Sequence, residues 1–396
     1  MAVTVRQAAG SLLVVGLSGA ELTALERAWL KLVRPAGVIL FRRNIVDAEQ
    51  TRALLGEATG LGGRHAVRCV DVEGGTVNRL RDALAPIASA QAVAAAARKQ
   101  ASLKPALATK GRRKDGAPMT LARKHGELIA RATKAFGFNT TLAPVVDLTL
   151  PEATEVLGSR TTGATAADVI AYTRDFLAGI AAQGVAGCGK HFPGLGGATG
   201  DTHFVTPAIS RGWDQLWSED VVPYRELHSA MPMIMTNHAA YPQTPGKNEP
   251  ASASRFWIAE TLRRKIGYKG IILSDDLEMG GILKFLPVEQ AAISAVRAGT
   301  DLLEICHSPE LILRTYEALV SEGERSAAFR ATLLARAQEV GRKRAKLYAH
   351  GEARALSSKG LDKLRSDIAK FNQKVAEILQ AADDATPRAA SPAEAS

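Results

Sequence analysis

Eight short apolar runs, rich in β-branched residues, recur along the chain with helical stretches between them. The runs are SLLVVGL from residue 11, GVILF from 37, AVRCVDV from 66, TTLAPVV from 140, GVAGCGK from 184, MIMTNH from 233, GIILSD from 270 and DLLEIC from 301. This alternation is typical of βα units around a parallel sheet. A doubly wound sheet would need a Gly-x-Gly-x-x-Gly turn after its first strand, where this chain has SGAE. The pattern therefore predicts an α/β fold of the (β/α)8 TIM-barrel type.

The intervening segments have the composition and the ends of helices. They include GAELTALERAWLKLV, AADVIAYTRDFLAGIAAQG and PVEQAAISAVRAG, and several of them end at a glycine suited to a helix C-terminus. We expect a single catalytic domain over residues 1–350 of the 396-residue chain. Residues 351–396 are predicted to add a C-terminal helix, KGLDKLRSDIAKFNQKVAEILQAA, and then a disordered tail that is small, polar and contains proline.

The cysteines and the N-terminus bear on the cellular compartment. Three widely separated cysteines, Cys69, Cys188 and Cys306, argue against a disulfide framework and for a reducing environment. The N-terminal apolar run is short, interrupted by Gly and Ser, and lacks a cleavage-type ending, so it predicts a first strand and helix and not a signal peptide. No apolar run reaches the length of a membrane span. We therefore expect a cytoplasmic protein with no membrane insertion.

The net charge of +10 is unevenly distributed. Residues 98–114, RKQASLKPALATKGRRK, contain seven basic residues and no acidic one, and a second cluster, GRKRAK, starts at residue 341. Neither run has interleaved aromatic residues, which single-stranded nucleic-acid sites use for stacking. Solvated basic segments are therefore favoured over a nucleic-acid partner.

Ionisable residues stand at the predicted C-terminal ends of several strands, where TIM-barrel enzymes build their active sites. Asp71 follows the third run, Lys190 and His191 the fifth, His238 the sixth and Asp275 the seventh. A single polar residue in such a place often only caps the next helix. Their recurrence around one barrel end predicts a common pocket.

Two stretches supply candidate reactive groups. In ILSDDLEMGG, adjacent side chains on a strand point to opposite sides, so Asp275 and Asp276 should have different roles, one facing the barrel mouth and the other capping the next segment. In the glycine-rich loop KHFPGLGGATGDTH, Asp201 can accept a hydrogen bond from one ring nitrogen of His203 and leave the other to handle a proton. A fixed carboxylate and an acid/base on a loop suit retaining glycoside hydrolysis.

The motifs around these residues resemble those of the single-domain β-N-acetylhexosaminidases of glycoside hydrolase family 3, which act in bacterial cell-wall recycling. The resemblance rests on KHFPGLG followed by GDTH, and on VDVEGGTVNRLR, LAPVVDL, VLGSRTTG, MTNHAAYP and ILSDDLEMGG, spread over roughly residues 10–310. Two features depart from the pattern. Leu195 stands where many members have a second histidine, and the basic stretch 98–114 is longer than usual.

The resemblance implies a function and assigns roles to individual residues. It implies hydrolysis of terminal non-reducing β-linked N-acetylglucosamine, from peptidoglycan-derived muropeptides, without a cofactor or metal. Asp275 would be the nucleophile and His203 the acid/base, with Asp201 as its orienting partner. The implied sugar-binding residues are Asp71, Arg79, Arg160, Lys190 and His191. Glu73 and His238 are expected to support these residues from behind.

Several alternatives stay open at this point. A glycosidase or glycoside phosphorylase of the same family with another sugar specificity would share these residues. A metal-dependent hydrolase would use similar residue types, although the His-x-His usual after the first strand is replaced by GLSG. Attack by the substrate's own acetamide normally needs an Asp-Glu pair, and the pair here is Asp-Asp. A barrel that binds muropeptides or nucleic acid without catalysis is the remaining alternative.

Overall fold

The predicted barrel is present. The computed structural model describes residues 3–102, 119–199, 207–349 and 354–384. Eight parallel strands form a closed barrel: β1 (Leu13–Gly16), β2 (Gly37–Leu40), β3 (Val67–Val70), β6 (Thr140–Thr141), β7 (Ala186–Phe192), β8 (Met233–Thr236), β9 (Ile271–Asp276) and β10 (Leu302–Ile305). A two-stranded hairpin, β4 (Val72–Gly74) and β5 (Val77–Asn78), projects directly after β3. Each of the eight apolar runs contains one barrel strand, which confirms the predicted fold class.

Neighbouring strands in the barrel follow chain order, and β10 pairs with β1 to close it. Because four strand steps separate β3 from β9 in either direction, these two strands lie opposite each other across the barrel. The structure corrects one detail of the prediction. Pairing continues to Phe192 on β7 and to Asp276 on β9, so Lys190, His191 and Asp275 lie within the last three residues of these strands and do not follow them.

Helices cover the outside of the barrel. They are α1 (Val5–Gly10), α2 (Ala24–Val33), α3 (Ala48–Gly60), α4 (Ala90–Ser102), α5 (Leu121–Ala135), α6 (Thr154–Leu157), α7 (Ala166–Ala182), α8 (Trp213–Ser218), α9 (Val222–Leu227), α10 (Gly280–Leu283), α11 (Val288–Ala298), α12 (Pro309–Arg325), α13 (Ala327–Leu347) and α14 (Ser358–Asp384), with a π-helix over Phe256–Lys265. No helix among these described residues has the length and apolarity that a membrane crossing needs.

Local capping explains where the predicted helices begin and end. The segment GAELTALERAWLKLV becomes helical only at Ala24, because Thr23 caps the helix and forms a capping box with Glu26. Helix α11 ends at Gly299, which adopts a left-handed conformation with φ 109°.

The C-terminal helix α14 is part of the packed core. Its apolar residues recur every three or four positions and are almost fully buried: Leu364, Ile368, Phe371, Val375 and Ile378. They pack against α4 and α5 on the outside of the barrel. The helix lies where the sequence predicts it. The boundary at residue 350 stays a prediction, and the predicted disordered tail and residues 103–114 of the basic stretch lie outside the described residues.

Candidate active site

A cavity of about 180 Å³ opens at the C-terminal ends of the barrel strands. It brings together every predicted site residue that the structure describes: Asp71, Arg79, Arg160, Lys190, His191 and Asp275. The other two, Asp201 and His203, lie outside the described residues. Of the five strand-end residues expected to share a pocket, Asp71, Lys190, His191 and Asp275 border this cavity, and His238 does not.

A buried network of charges lines the β3 side of the cavity. The Lys190 ammonium lies 2.8 Å from Oδ1 of Asp71 and 2.7 Å from Oε1 of Glu73. Arg160 donates two hydrogen bonds to the Glu73 carboxylate, at 2.8 and 2.9 Å. A guanidinium nitrogen of Arg79 lies 3.6 Å from Oδ2 of Asp71. Glu73 thus forms ion pairs with both Lys190 and Arg160, and the Asp71 carboxylate borders the cavity.

These partners keep the whole network ionised. Burial raises the pKa of Asp71, but the charges of Lys190 and Arg79 outweigh it and hold that pKa well below its ordinary value. Burial likewise raises the pKa of Glu73, and Arg160 and Lys190 bring it down to about 2. Burial lowers the pKa of Lys190, yet the carboxylates of Asp71 and Glu73 raise it above its usual range. At neutral pH Asp71 is therefore an anion that can accept hydrogen bonds from two hydroxyl groups.

The β4–β5 hairpin places Asp71 and Glu73 on this side of the cavity. Asp71 joins β3 to β4, and its carbonyl accepts a hydrogen bond from Arg79 N at 3.0 Å after the hairpin returns. The turn depends on Gly74 and Gly75, which have φ values of 91° and 61°. A Cβ atom on Gly74 would overlap the carbonyl oxygen of Ala88, so the glycine also permits a close backbone approach.

His191 is oriented by a carboxylate that sequence reasoning did not single out. Its Nδ1 lies 2.7 Å from Oδ2 of Asp147, and its Nε2 lies 3.3 Å from a guanidinium nitrogen of Arg160. Because a guanidinium can only donate, Nε2 is the acceptor and Nδ1 carries the proton. Asp147 also accepts a hydrogen bond from Leu195 N at 2.8 Å, so it fixes the start of the glycine-rich loop. The buried leucine that departs from the family pattern is held through its backbone.

Asp275 and Asp276 have the two different roles that strand geometry predicts. Oδ1 of Asp276 accepts hydrogen bonds from Glu278 N at 3.1 Å and Cys306 N at 3.2 Å, which caps the turn after β9. Asp275 accepts only the backbone N–H of Asp276, at 3.0 Å, and no cation lies within ion-pair distance of it among the residues described. Asp275 is thus the carboxylate on the β9 wall that is available to a ligand.

His238 supports the same strand end from behind. Its Nε2 lies 2.9 Å from the carbonyl oxygen of Asp276, so this nitrogen donates. Its Nδ1 lies 2.7 Å from the Ser252 hydroxyl and accepts from it. The ring is fully buried and does not border the cavity, which agrees with the supporting position expected of it.

Phe41, Glu304 and His307 are among the further residues that border the cavity and that the sequence did not single out. The Phe41 and His307 rings contact each other at the rim, with centroids 5.0 Å apart. Glu304 is 2% exposed and has no ion-pair partner among the described residues. Burial, with the charges of Asp275 and Asp71, raises its pKa well above the ordinary value. The signal for Glu304 was one acidic residue inside the apolar run DLLEIC.

The described residues contain no group of three or more His, Cys, Asp or Glu side chains placed to hold a metal ion. The cavity instead combines an ion-paired wall, built from the β4–β5 hairpin, Arg160 and the end of β7, with a carboxylate on β9 that has no cationic partner among the described residues. The first wall can bind a polyhydroxylated ligand through charge-assisted hydrogen bonds. The second can attack or stabilise an electron-poor carbon that the first wall presents.

Comparison with known proteins identifies relatives over most of the chain. Residues 4–340 match the sequence model of the glycosyl hydrolase family 3 N terminal domain. A β-hexosaminidase of Stenotrophomonas maltophilia (strain R551-3) is 33% identical over 321 residues, which is 80% of this chain and 89% of that protein.

Solved structures also resemble this chain. A family 3 β-N-acetylglucosaminidase from Paenibacillus sp. str. FPU-7 superposes with a TM-score of 0.81 at 28% identity, covering 94% of this chain and 69% of that one. NagZ from Neisseria gonorrhoeae gives 0.71 at 27% identity, covering 93% and 97%. The family match spans all ten strands and ends within α13, before α14 begins.

Proposed function

The chain belongs to glycoside hydrolase family 3, and from that premise we propose that it is a retaining β-N-acetylglucosaminidase acting on terminal non-reducing β-linked N-acetylglucosamine. One observation carries the proposal. The cavity places Asp275, a carboxylate without a cationic partner among the described residues, opposite a wall whose carboxylate and cations are already ion-paired. A glycosidase that works by double displacement needs this pairing of a reactive carboxylate with a sugar-holding wall.

In the proposed mechanism, an Asp275 oxygen attacks the anomeric carbon and the glycosidic C–O bond breaks. The departing oxygen takes the proton from the His203 imidazolium, whose other nitrogen donates to Asp201. Water then attacks the same carbon, gives its proton to His203 and releases Asp275. Each step inverts the anomeric centre, so the sequence of two returns a β-configured product.

The sugar-binding residues follow from the ion-paired wall. Asp71 accepts hydrogen bonds from two hydroxyls, and Lys190, which keeps protons to donate, contacts the same edge of the ring. Arg79 and Arg160 donate to the remaining hydroxyls or to the acetamide oxygen. His191 is held by Asp147 with Nε2 toward Arg160, so it packs beside the sugar in a fixed orientation.

The substrate source and the compartment are also part of this proposal. We infer that the natural substrates are muropeptides released from peptidoglycan, on the basis of the motif resemblance described above. The protein would meet them in the cytoplasm, since all three cysteines are buried free thiols, as a reducing compartment favours.

Hydrolysis of 4-nitrophenyl β-N-acetylglucosaminide tests the activity. We expect turnover by the wild type and a loss of roughly a thousandfold or more in kcat for Asp275→Asn. Asp82→Asn is the matched control, because that side chain is 72% exposed, and it should behave as the wild type. A fluorinated N-acetylglucosaminide should add one sugar mass to the peptide that contains Asp275. Equal rates for Asp275→Asn and the wild type would refute the assignment, and so would a product released first as the α-anomer.

A further inference from the structure

The C-terminal helix α14 contacts the chain behind the sugar-binding hairpin, although it lies outside the family match. The side chain of Asn372 makes two hydrogen bonds to one short segment. Its Oδ1 accepts from Ala88 N at 2.9 Å, and its Nδ2 donates to the Pro86 carbonyl at 2.9 Å. Arg365, two turns earlier, donates to the Leu84 and Ala83 carbonyls at 3.3 and 3.4 Å. We call residues 83–88 the support segment.

The support segment in turn holds the hairpin turn. The carbonyl of Ile87 accepts a hydrogen bond from Gly75 N at 2.8 Å. The Ala88 carbonyl lies so close to Gly74 that no Cβ fits between them. Since Gly74 directly follows Glu73, any shift of the support segment moves the carboxylate that holds Arg160 and Lys190.

A second contact links α14 to the same turn. The Phe371 ring stacks on the buried His125 ring, with centroids 5.8 Å apart and planes 16° from parallel. The Nε2 atom of His125 lies directly beneath Gly74, and its Nδ1 contacts the Tyr172 hydroxyl at 2.7 Å. The helix therefore supports the turn both through polar contacts at Asn372 and through ring packing at Phe371.

We propose that Asn372 is a positioning residue for the sugar-binding wall: by fixing the support segment it fixes the hairpin turn, and so the geometry of Asp71 and Glu73. This inference rests on the proposed function, because it concerns the wall assigned to sugar binding. It predicts a selective effect. Asp275 lies on β9, opposite β3, and its one side-chain hydrogen bond among the described residues is with Asp276 N.

The test compares steady-state kinetics of three variants on the nitrophenyl sugar. Asn372→Ala removes both hydrogen bonds, and we expect KM to rise about five- to tenfold with kcat changed less than about twofold. Asn372→Asp keeps the acceptor for Ala88 N and loses the donor to Pro86. Its KM should therefore lie between the values of the wild type and of Asn372→Ala. Gln373→Ala is the matched control, because the side chain of that exposed neighbour donates to Glu377 of the same helix, and the variant should retain wild-type values.

Hydrogen exchange provides a readout that does not depend on turnover. In Asn372→Ala, the peptide containing Gly75 should exchange faster, while peptides of β9 keep their wild-type protection. An unchanged KM together with unchanged exchange at Gly75 would overturn the inference, and so would exchange that increases equally throughout the barrel. If the wild type failed to cleave the sugar, the proposed function would be lost, and the exchange comparison would still decide whether Asn372 positions the turn.

Discussion

Glu304 shows how one buried side chain can be neutral within a charged cavity. Its neighbours include the Cys69 thiol of β3, whose Sγ is 3.9 Å from Oε1, and the carboxylates of Asp71 and of Asp275 on the adjacent strand β9. Without a compensating cation, a buried carboxylate is far less stable than the protonated acid. A protonated Glu304 avoids placing a second buried negative charge beside Asp275.

The raised pKa of Glu304 predicts a specific pH dependence of stability. The folded protein keeps a proton that the unfolded chain loses above the ordinary value of 4.5, so the unfolding free energy falls as pH rises from there toward the folded-state pKa. Glu304→Gln removes this proton, and its stability relative to the wild type should increase by up to about 1.4 kcal/mol per pH unit. Urea unfolding of both proteins at pH 5 and pH 8 measures the difference. Parallel pH profiles would show that Glu304 is ionised when buried.

The acid/base role proposed for His203 predicts a dependence on the leaving group. His203→Ala should lower kcat/KM for a disaccharide by roughly 10²- to 10⁴-fold, because an alkoxide needs a proton in order to leave. A dinitrophenyl glycoside needs no such help and should lose much less. His228→Ala is the control, since that residue precedes β8 at the other end of the barrel. Equal losses on both substrates would assign the proton to another group.

At the scale of elements, the position of the β4–β5 hairpin depends on contacts with other segments of the chain. Its turn contacts the support segment and lies above His125 of α5. The two glycines in left-handed conformations allow these approaches, because a side chain at either position would be strained. The hairpin is therefore where a small backbone change should have the largest effect on sugar binding.

Gly74→Ala tests this dependence. The new methyl group would overlap the Ala88 carbonyl at a φ that L-residues rarely adopt, so we expect a loss of about 1–3 kcal/mol in unfolding free energy together with a higher KM. Gly56→Ala in α3 is the control, and it should change the unfolding free energy in the opposite direction. No atom lies within 4 Å of its added Cβ, and a helical alanine should stabilise by about 0.5–1 kcal/mol. A Gly74→Ala protein as stable as the wild type would contradict the packing described here.

The strands of the barrel could be predicted from the sequence, whereas the side-chain contacts between distant residues could not. All eight strands were predictable, because each is a short apolar run and parallel strands are buried on both faces. Placing Asp71, Lys190 and Asp275 in one cavity needed only the rule that barrel sites lie at strand ends. Asp147 and Glu304 were missed because their partners, His191 and Cys69, are 44 and 235 positions away along the chain. Such contacts are set by which strands become neighbours, and a lone acid in an apolar run does not reveal its partner.

At the scale of the whole molecule, helix α14 follows the barrel in the chain and packs against its outer helices. The apolar face of α14 belongs to the same core as the barrel strands and α5. Removing the helix would expose the surface of α4 and α5 that this face covers. Burial of five large apolar side chains contributes on the order of 10 kcal/mol, comparable with the net stability of a typical domain.

Two truncations test this contribution. A chain ending at residue 350 should lose cooperative thermal unfolding or aggregate on expression, because the α14 contacts with α4 and α5 disappear. A chain ending at residue 384 keeps the whole helix and should melt within about 1–2 °C of the full-length protein. Both are measured by circular dichroism on heating. A 350-residue protein that melts cooperatively near the wild-type temperature would make α14 an independent appendage.

Because β3 and β9 face each other across the barrel, the proposed mechanism places recognition and bond cleavage on different segments of the backbone. Under that mechanism, substitutions on one wall should change which sugar is accepted and leave the cleavage chemistry on the other wall intact. An engineer could therefore screen libraries confined to the hairpin and Arg160 for new specificities, starting from a catalyst that already works.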